Sequence, residues 1–389
     1  MPDGRDAIAI KVRASLRDVS AADWNACAGS GNPFIRHEFL SALEDSGSAT
    51  ADSGWMGQHL TIEDPSGSLV ACAPLYLKNH SYGEYVFDWG WADAYERAGG
   101  RYYPKLQCSV PFTPATGSRL LVRGDLPEYT RNELRIALMA GMAQLAENLG
   151  VSSVHVTYPT EDEWRGLGVA GFLQRIGQQF HWENQGFDTF DDFLAELSSR
   201  KRKNIKKERR AAADAGLEIR VLEGSDVTEA HWDAFFRFYL DTSDKKWGRA
   251  YLNRKFFSLL DERLSDAVVM VVVEKQGRPV AGALNLRGAD TLYGRNWGCI
   301  EDYKFLHFEA CYYQAIDYAI RTGLKWVEAG AQGPHKIQRG YLPRETYSAH
   351  WIADPGFRDA VARFLEDEKR GIAREMSAYG SFSPYKKPG

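Results

Sequence analysis

Apolar and polar positions alternate along this chain in two registers. Residues 60–77 (LTIEDPSGSLVACAPLYL) and 271–286 (VVVEKQGRPVAGALNL) each hold two apolar or β-branched runs around a turn, Pro-Ser-Gly in one and Gln-Gly-Arg-Pro in the other. Both predict hairpins. Residues 32–45 and 249–262 space Phe and Leu as helices do, and 22–26 (ADWNA) and 230–234 (AHWDA) each open a helix after a Ser/Thr/Asp-rich start. Each half then predicts a long helix followed by a strand: 131–149 and 151–158 in the first half, 305–323 and 324–329 in the second. Three matched segments in the same order predict a duplicated unit of strand, two helices, antiparallel hairpin, further strand, long helix and strand. The expected class is α/β layers with a mixed sheet. The halves divide as 1–187 and 188–389, with an aromatic-rich insertion at 80–106 in the first and a basic helix at 200–210 opening the second.

Composition narrows the class. Lys and Arg number 48 against 52 Asp and Glu, so a globally basic nucleic-acid protein is excluded while a local basic patch is not. The longest apolar run, 267–273, is strand-sized, so no spanning helix is expected. The opening MPDGRDAIAIKVR has no apolar core, so no secretory signal is expected. Five scattered cysteines are expected to be buried thiols in a reducing cytoplasm, and the tail from residue 383 is expected to fray.

Four stretches carry candidate chemistry. The insertion holds Tyr82, Trp89 and Tyr103 among other rings, with Asp88 between Phe87 and Trp89. Rings with polar tips suit either a concave binding site or a loop packed on the first core. A carboxylate among them is expected to have a raised pKa, suited to a base or to pairing with an amine. Residues 200–210 (RKRKNIKKERR) hold eight cations in eleven, which reads as a solvated face, a phosphate-recognition element or a surface for anionic lipid. Tyr293, Arg295 and Asn296 lie on a strand whose glycines allow close approach to a ligand. Glu328 on a core strand leads to His335, a candidate general base, and to Lys336 and Arg339, which would hold a phosphate or an oxyanion unless they form a salt-bridged turn. His350 is a second imidazole, on an expected strand. No G-x-S-x-G, Walker, H-E-x-x-H or dinucleotide motif accompanies these residues, so the nucleophile is expected to be a substrate amine. No metal is required.

The order of elements resembles the acetyl-CoA-dependent N-acetyltransferase fold, and two copies in one chain resemble FemAB-like proteins. Residues 80–106, 111–119 (PFTPATGSR), 200–210 and 330–351 (GAQGPHKIQRGYLPRETYSAHW) look like signatures of the FemAB-like "peptidoglycan biosynthesis/recognition" family of predicted N-acyltransferases. The resemblance implies tandem acetyltransferase-like domains with mixed, mostly antiparallel sheets. It also implies amide formation without a covalent enzyme intermediate. Some bacterial ceramide synthases look like members. With the aromatic block beside a basic helix, this leads to the expectation of a fatty acyl thioester joined to a sphingoid amine. The co-substrate would be acyl-CoA or acyl-carrier protein, with no tightly bound cofactor, at the inner face of the cytoplasmic membrane. The alternatives are aminoacyl transfer from tRNA to a peptidoglycan precursor, against which the chain lacks the long helical arm of FemA-type relatives, and a non-catalytic envelope-ligand module. The resemblance places Asp88, Glu328, His335 and His350 as catalytic candidates. It places Lys105, Arg200, Lys203, Asn204, Lys304 and His307 beside the residues already named as substrate or donor contacts. The glycine-rich phosphate loop of acetyltransferases is replaced by CIEDYKFLHF, whose acids would repel phosphate unless Lys304 or His307 compensates.

Overall fold

A computed structural model describes residues 8–246, 250–330 and 333–386. The chain forms two compact units, Met1–Gly177 with Thr346–Arg370, and Gln178–Glu345 with Gly371–Gly389. The strands are β1 (Ile10–Arg13), β2 (Trp55–Gly57), β3 (His59–Glu63), β4 (Leu69–Ala73), β5 (Leu75–Lys78), β6 (Lys105–Cys108), β7 (Leu121–Val122), β8 (Ser153–Thr157), β9 (Leu173–Glu183), β10 (Glu218–Glu223), β11 (Val268–Lys275), β12 (Arg278–Arg287), β13 (Thr291–Cys299), β14 (Trp326–Glu328) and β15 (Leu342–Ile352).

In the first unit β1-β3-β4-β7 make one sheet and β2-β5-β6-β8-β15 another; the second unit orders its strands β10-β11-β12-β13-β14-β9. Both expected hairpins form, as β3–β4 and β11–β12. The parallel pairs β6–β8 and β13–β14 each require a crossover, supplied by the two expected long helices. The first, Glu128–Leu149, buries Leu134, Leu138, Met142 and Ala146 at spacings of four against Leu106, Val154 and Val156. The second runs through Leu306–Phe308 and Gln314–Arg321, with a π-turn at Glu309–Tyr313 between them.

The boundary expected at 187/188 falls instead at 177/178, and 346–370 returns to the first unit. The cause is an exchange of final strands. The end of β9 pairs with β14 in the second unit, and the end of β15 pairs with β8 in the first. Helix edges also differ from expectation where capping decides them. The Asn32 side chain caps a turn at Pro33–Ile35, so the helix proper is His37–Asp45. The Asn253 side chain caps Arg254–Leu264, and Arg249 lies outside the described residues. The tail is anchored rather than frayed as far as it is described: Tyr385 bridges to Leu197 and its hydroxyl donates to the Gly340 carbonyl, while 387–389 lie outside the described residues. Cys27, Cys72 and Cys108 are buried as expected, whereas Cys299 and Cys311 are half-exposed. No described helix is long and apolar enough to cross a membrane.

Candidate functional site

The first unit holds an unusual sheet face. Lys78 lies opposite Lys105, Gln107 opposite His155, and His155 opposite His350. Strand alternation therefore puts these residues, with Ser153, Thr157 and Ser348, on one face, while Leu77, Leu106, Val154 and Val156 take the other. All of the polar residues are buried. Burying such a face is costly unless its groups are paired. Lys105 Nζ donates to Ser81 Oγ at 2.8 Å, to Glu84 Oε2 at 2.7 Å and to Asp88. Tyr102 donates to Asp88 Oδ2 at 2.6 Å, and Tyr103 shares a 2.8 Å hydrogen bond with Ser81. His155 and His350 meet through their Nδ1 atoms at 2.7 Å, and each also bonds a serine of its own strand.

The electrostatics overturn the expectation for Asp88. Burial alone would raise its pKa, but the Lys105 charge, then His155, and the hydrogen bonds from Lys105 hold it well below the usual carboxylate range. It is a fixed anion, not a base. Burial opposes the Lys105 charge, yet Asp88 and Glu84 outweigh it and hold the ammonium above its ordinary value. Burial pushes Glu84 up to about 7 and Lys78 down to about 7. Burial, followed by the Lys105 charge, drives His155 to about 3. His350 also falls well below the ordinary imidazole value through burial and its neighbour His155. Wedged edge-on against Trp91, it is a core group rather than an accessible catalyst. Lys105 and Tyr103 are likewise spent inside this network. Tyr82 and Trp89 remain exposed, packed edge to face with ring centroids 4.9 Å apart.

The second unit presents an open arrangement. Strand β13 pairs with β14 over 291–293. Leu284 faces Asn296 while Asn285 faces Gly294, which leaves Arg295 as the extra residue of a bulge. Rather than ending at its glycines, β13 continues to Cys299, because Gly298 lets the backbone of Phe238 approach: a Cβ there would lie 2.1 Å from the Phe238 carbonyl oxygen. Tyr293 and Glu328 are buried register partners, with His181 on the far side of Glu328, and Arg295 and Asn296 are half-buried. The crossover helix begins at Phe305, held at φ 67°, and its π-turn bears Tyr312. Strained residues and π-turns of this kind concentrate at functional sites.

His335 stands exposed over this helix, with Nε2 3.1 Å from the Tyr312 hydroxyl and Phe308 and His307 rings close by. Partial burial and the charges of Lys336 and Arg339 lower its pKa, so it is neutral at pH 7. Lys336 and Arg339 both bond groups of the protein itself, the salt-bridged-turn arrangement. Lys336 Nζ donates to the Ala329 and Gly330 carbonyls at 2.5 and 2.9 Å, and burial lowers its pKa to about 8. Arg339 binds both Glu208 oxygens at 3.0 Å and lies over the Phe308 ring. Lys304 is exposed, with its ammonium over the ring of Phe305.

Glu208 belongs to the basic helix, Ser199–Asp214, so its pair with Arg339 ties that helix to the turn carrying His335; Arg209–Glu309 at 3.1 Å adds a second tie. Ile205 and Ala212 anchor the inner side. Arg200, Lys203, Asn204, Lys207 and Arg210 are exposed. The four cations, spaced three, four and three residues apart, form one helix face. A shallow hollow of about 820 Å³ elsewhere in this unit, walled by Phe187, Asp317, Arg321 and Lys325, holds none of the predicted residues.

Sequence reasoning did not single out Lys78, Glu84, His155, Glu208 or Tyr312. The alternation Ser153-His155-Thr157 was a visible signal of a polar strand face. The partners of Glu208 and Tyr312 are 131 and 23 residues distant, and nothing local announces them.

A family model described as FemAB-like, peptidoglycan biosynthesis/recognition, matches residues 15–387. A search of curated protein sequences gives no match. Among solved structures, the crystal structure of FemX is similar at TM-score 0.55 and 10% identity, covering 91% of this chain and all of that one. L-PGS from Bacillus licheniformis scores 0.50 at 10% identity, covering 84% of this chain and 96% of that one. The C-terminal domain of a putative lysylphosphatidylglycerol synthetase from Agrobacterium fabrum scores 0.51 at 10% identity, covering 88% and 95%. These likenesses match the duplicated acetyltransferase-like fold, and with the family match over nearly its whole length the chain belongs to the FemAB-like family.

Proposed function

We propose that the protein transfers an aminoacyl group from a charged tRNA to an amine of a peptidoglycan precursor. The observation that carries this reading is the exposed cationic face of Ser199–Asp214, tied through Glu208 and Arg339 to the turn bearing His335. Such a face suits a phosphate backbone. The peptidoglycan description of the family supports the acceptor, and the likeness to a lysylphosphatidylglycerol synthetase supports an aminoacyl group.

The chemistry follows from the second unit. With Nε2–H donating to the Tyr312 hydroxyl, the Nδ1 lone pair of His335 takes the proton from the attacking ammonium. The amine then adds to the ester carbonyl, giving a tetrahedral oxyanion. Collapse of the adduct breaks the bond to the ribose oxygen, which leaves as the hydroxyl with the second proton shed by the adduct nitrogen, so that a neutral amide remains. The fatty-acyl and sphingoid-amine reading has weaker support, because Trp91 and Tyr102 of the aromatic block are buried in packing.

The test is incubation of purified protein with a charged tRNA pool and UDP-N-acetylmuramoyl-pentapeptide, with products read by mass spectrometry. An aminoacylated precursor, abolished by prior RNase treatment, supports the reading. Absence of that product, together with N-acylsphinganine formed from palmitoyl-CoA and sphinganine, overturns it in favour of the lipid reading.

A further inference from the structure

The only acid among residues 200–210 is Glu208. Ile205 and Ala212, the buried anchors of helix Ser199–Asp214, lie three and four residues from it, so Glu208 shares their inward face instead of the exposed cationic one. There it accepts from Arg339, whose Nη2 lies 3.0 Å from both carboxylate oxygens, and from the Tyr313 hydroxyl. The pair is well enclosed, with the Arg339 and Glu208 side chains 8% and 16% exposed. An anion facing inward does not meet a phosphate backbone, so the recognition assigned to the cationic face does not account for Glu208.

Arg339 has two further partners. Its Nη1 donates to the His335 carbonyl oxygen at 2.9 Å, and the guanidinium carbon sits 3.4 Å from the centroid of the Phe308 ring. The same ring lies 5.8 Å from the His335 imidazole, centroid to centroid. One planar group therefore touches the backbone of His335, the ring beside its imidazole and a carboxylate on another helix. A guanidinium suits this task because its donors are fixed in a plane that also stacks, whereas an ammonium has no such plane. The turn needs the support. Pro334–Arg339 is a 3-10 helix of six residues, longer than such helices usually run, and it lies between Gly333 at φ 108° and Gly340 at φ 92°. Glycine at either end gives the chain little stiffness of its own. We propose that Glu208 and Arg339 are positioning residues for His335: Glu208 fixes the guanidinium, and the guanidinium fixes the carbonyl and the ring that together orient the imidazole toward Tyr312. This deepens the aminoacyl-transfer reading and rests on its assignment of His335 as the base. Without the bracket His335 spreads over several orientations, of which only one keeps Nε2 3.1 Å from the Tyr312 hydroxyl.

Charge supplies a second reporter. His335 faces Lys336 and Arg339 from its own turn, the Tyr312 hydroxyl and the His307 ring from the crossover helix, and Glu208 behind Arg339. Burial, then Lys336, then Arg339 lower its pKa. Arg339→Met removes one of these cations and so raises the His335 pKa. Arg339→Lys keeps a cation and loses only the planar bracket. Glu208→Gln keeps the shape and removes the anion that holds the guanidinium.

Two measurements on the full-length protein test this. The first needs no substrate: NMR follows the His335 Cε1–H resonance, assigned by its absence in His335→Ala. Its wild-type position is set by ring currents from Phe308 and Tyr312, and in Arg339→Lys and Glu208→Gln it should move toward that of free histidine. In Arg339→Met the midpoint of its titration should also rise. The second is steady-state aminoacyl transfer. Here kcat should fall by about tenfold or more in Arg339→Lys and about threefold or more in Glu208→Gln, with KM for both substrates within about twofold of the wild type. Glu208→Gln, nearly isosteric, decides the matter if the melting temperature shows Arg339→Lys to be unfolded. A His335 resonance unmoved in these variants overturns the proposal, and so does an unchanged kcat where the wild type is active. A wild type that transfers nothing, with the resonance shifted in the variants as expected, overturns the aminoacyl-transfer reading and supports the positioning role.

Discussion

Replacing Lys105 by Met removes the one cation that contacts both Glu84 and Asp88, while keeping the side chain's length. Lys105 is fully buried and the two carboxylates are 4% and 2% exposed, so water cannot take over the lost charge. Breaking a buried pair from one side costs about 3–5 kcal/mol, because the partner is left charged and unpaired. Unfolding of the first unit, about two hundred residues, should shift by roughly 2–4 °C per kcal/mol, giving a loss of about 6–20 °C at pH 8. The pH dependence gives the sharper test. Asp88 has a depressed folded pKa, so its contribution to wild-type stability is present above its unfolded value of about 3.9 and is lost as pH falls through the folded value. In the variant that depression is gone, and Asp88 and Glu84 escape the penalty only by binding protons. The difference between the two proteins should therefore shrink by at least about half between pH 8 and pH 4.5. Circular-dichroism melts across that range measure it. A loss below about 1 kcal/mol at pH 8, or one that stays constant with pH, would refute the reasoning.

Removing three cations of the exposed face together, Arg200→Gln, Lys203→Gln and Lys207→Gln, should weaken tRNA binding and reduce the slope of log K against log salt by about 2, measured by filter binding at several salt concentrations. An unchanged slope would place the nucleic acid elsewhere. Gly333→Ala puts a methyl 2.4 Å from Cε1 and 2.8 Å from Nδ1 of His335, at a residue with φ of 108°, so transfer should fall by about tenfold or more while the melting temperature moves little. Gly298→Ala drives a methyl to 2.1 Å from the Phe238 carbonyl oxygen and should cost about 1–3 kcal/mol in denaturant unfolding of the second unit.

The duplicated architecture was readable because hairpins and amphipathic helices advertise themselves through local periodicity: 60–77 and 271–286 fold as expected, and so do both crossover helices. The division between units was not readable, since the exchange of β9 and β15 depends on pairing between segments more than a hundred residues apart. Site chemistry divided the same way. His335, a candidate base from its turn context, stands exposed. The surroundings of Asp88, Lys336 and Arg339 were not legible, because their partners come from distant segments or from backbone carbonyls: Lys105 for the first, Ala329 and Gly330 for the second, Glu208 for the third, which makes the turn salt-bridged, one of its two readings. The aromatic block left a binding site and a packed loop equally open, and its rings divide between packing, as with Trp91 and Tyr102, and exposure, as with Tyr82 and Trp89.

The pH profile of kcat/KM for aminoacyl transfer, compared between the wild type and His335→Ala, tests the role of this imidazole most directly. The wild type should show an acid limb with an apparent pKa below 6.5, set by the lowered value of His335. The variant should lose that limb along with about 10²–10⁴ of the rate, while retaining tRNA binding and its melting temperature. A variant that keeps its rate within about tenfold, with the acid limb intact, would contradict the assignment of His335 as the base.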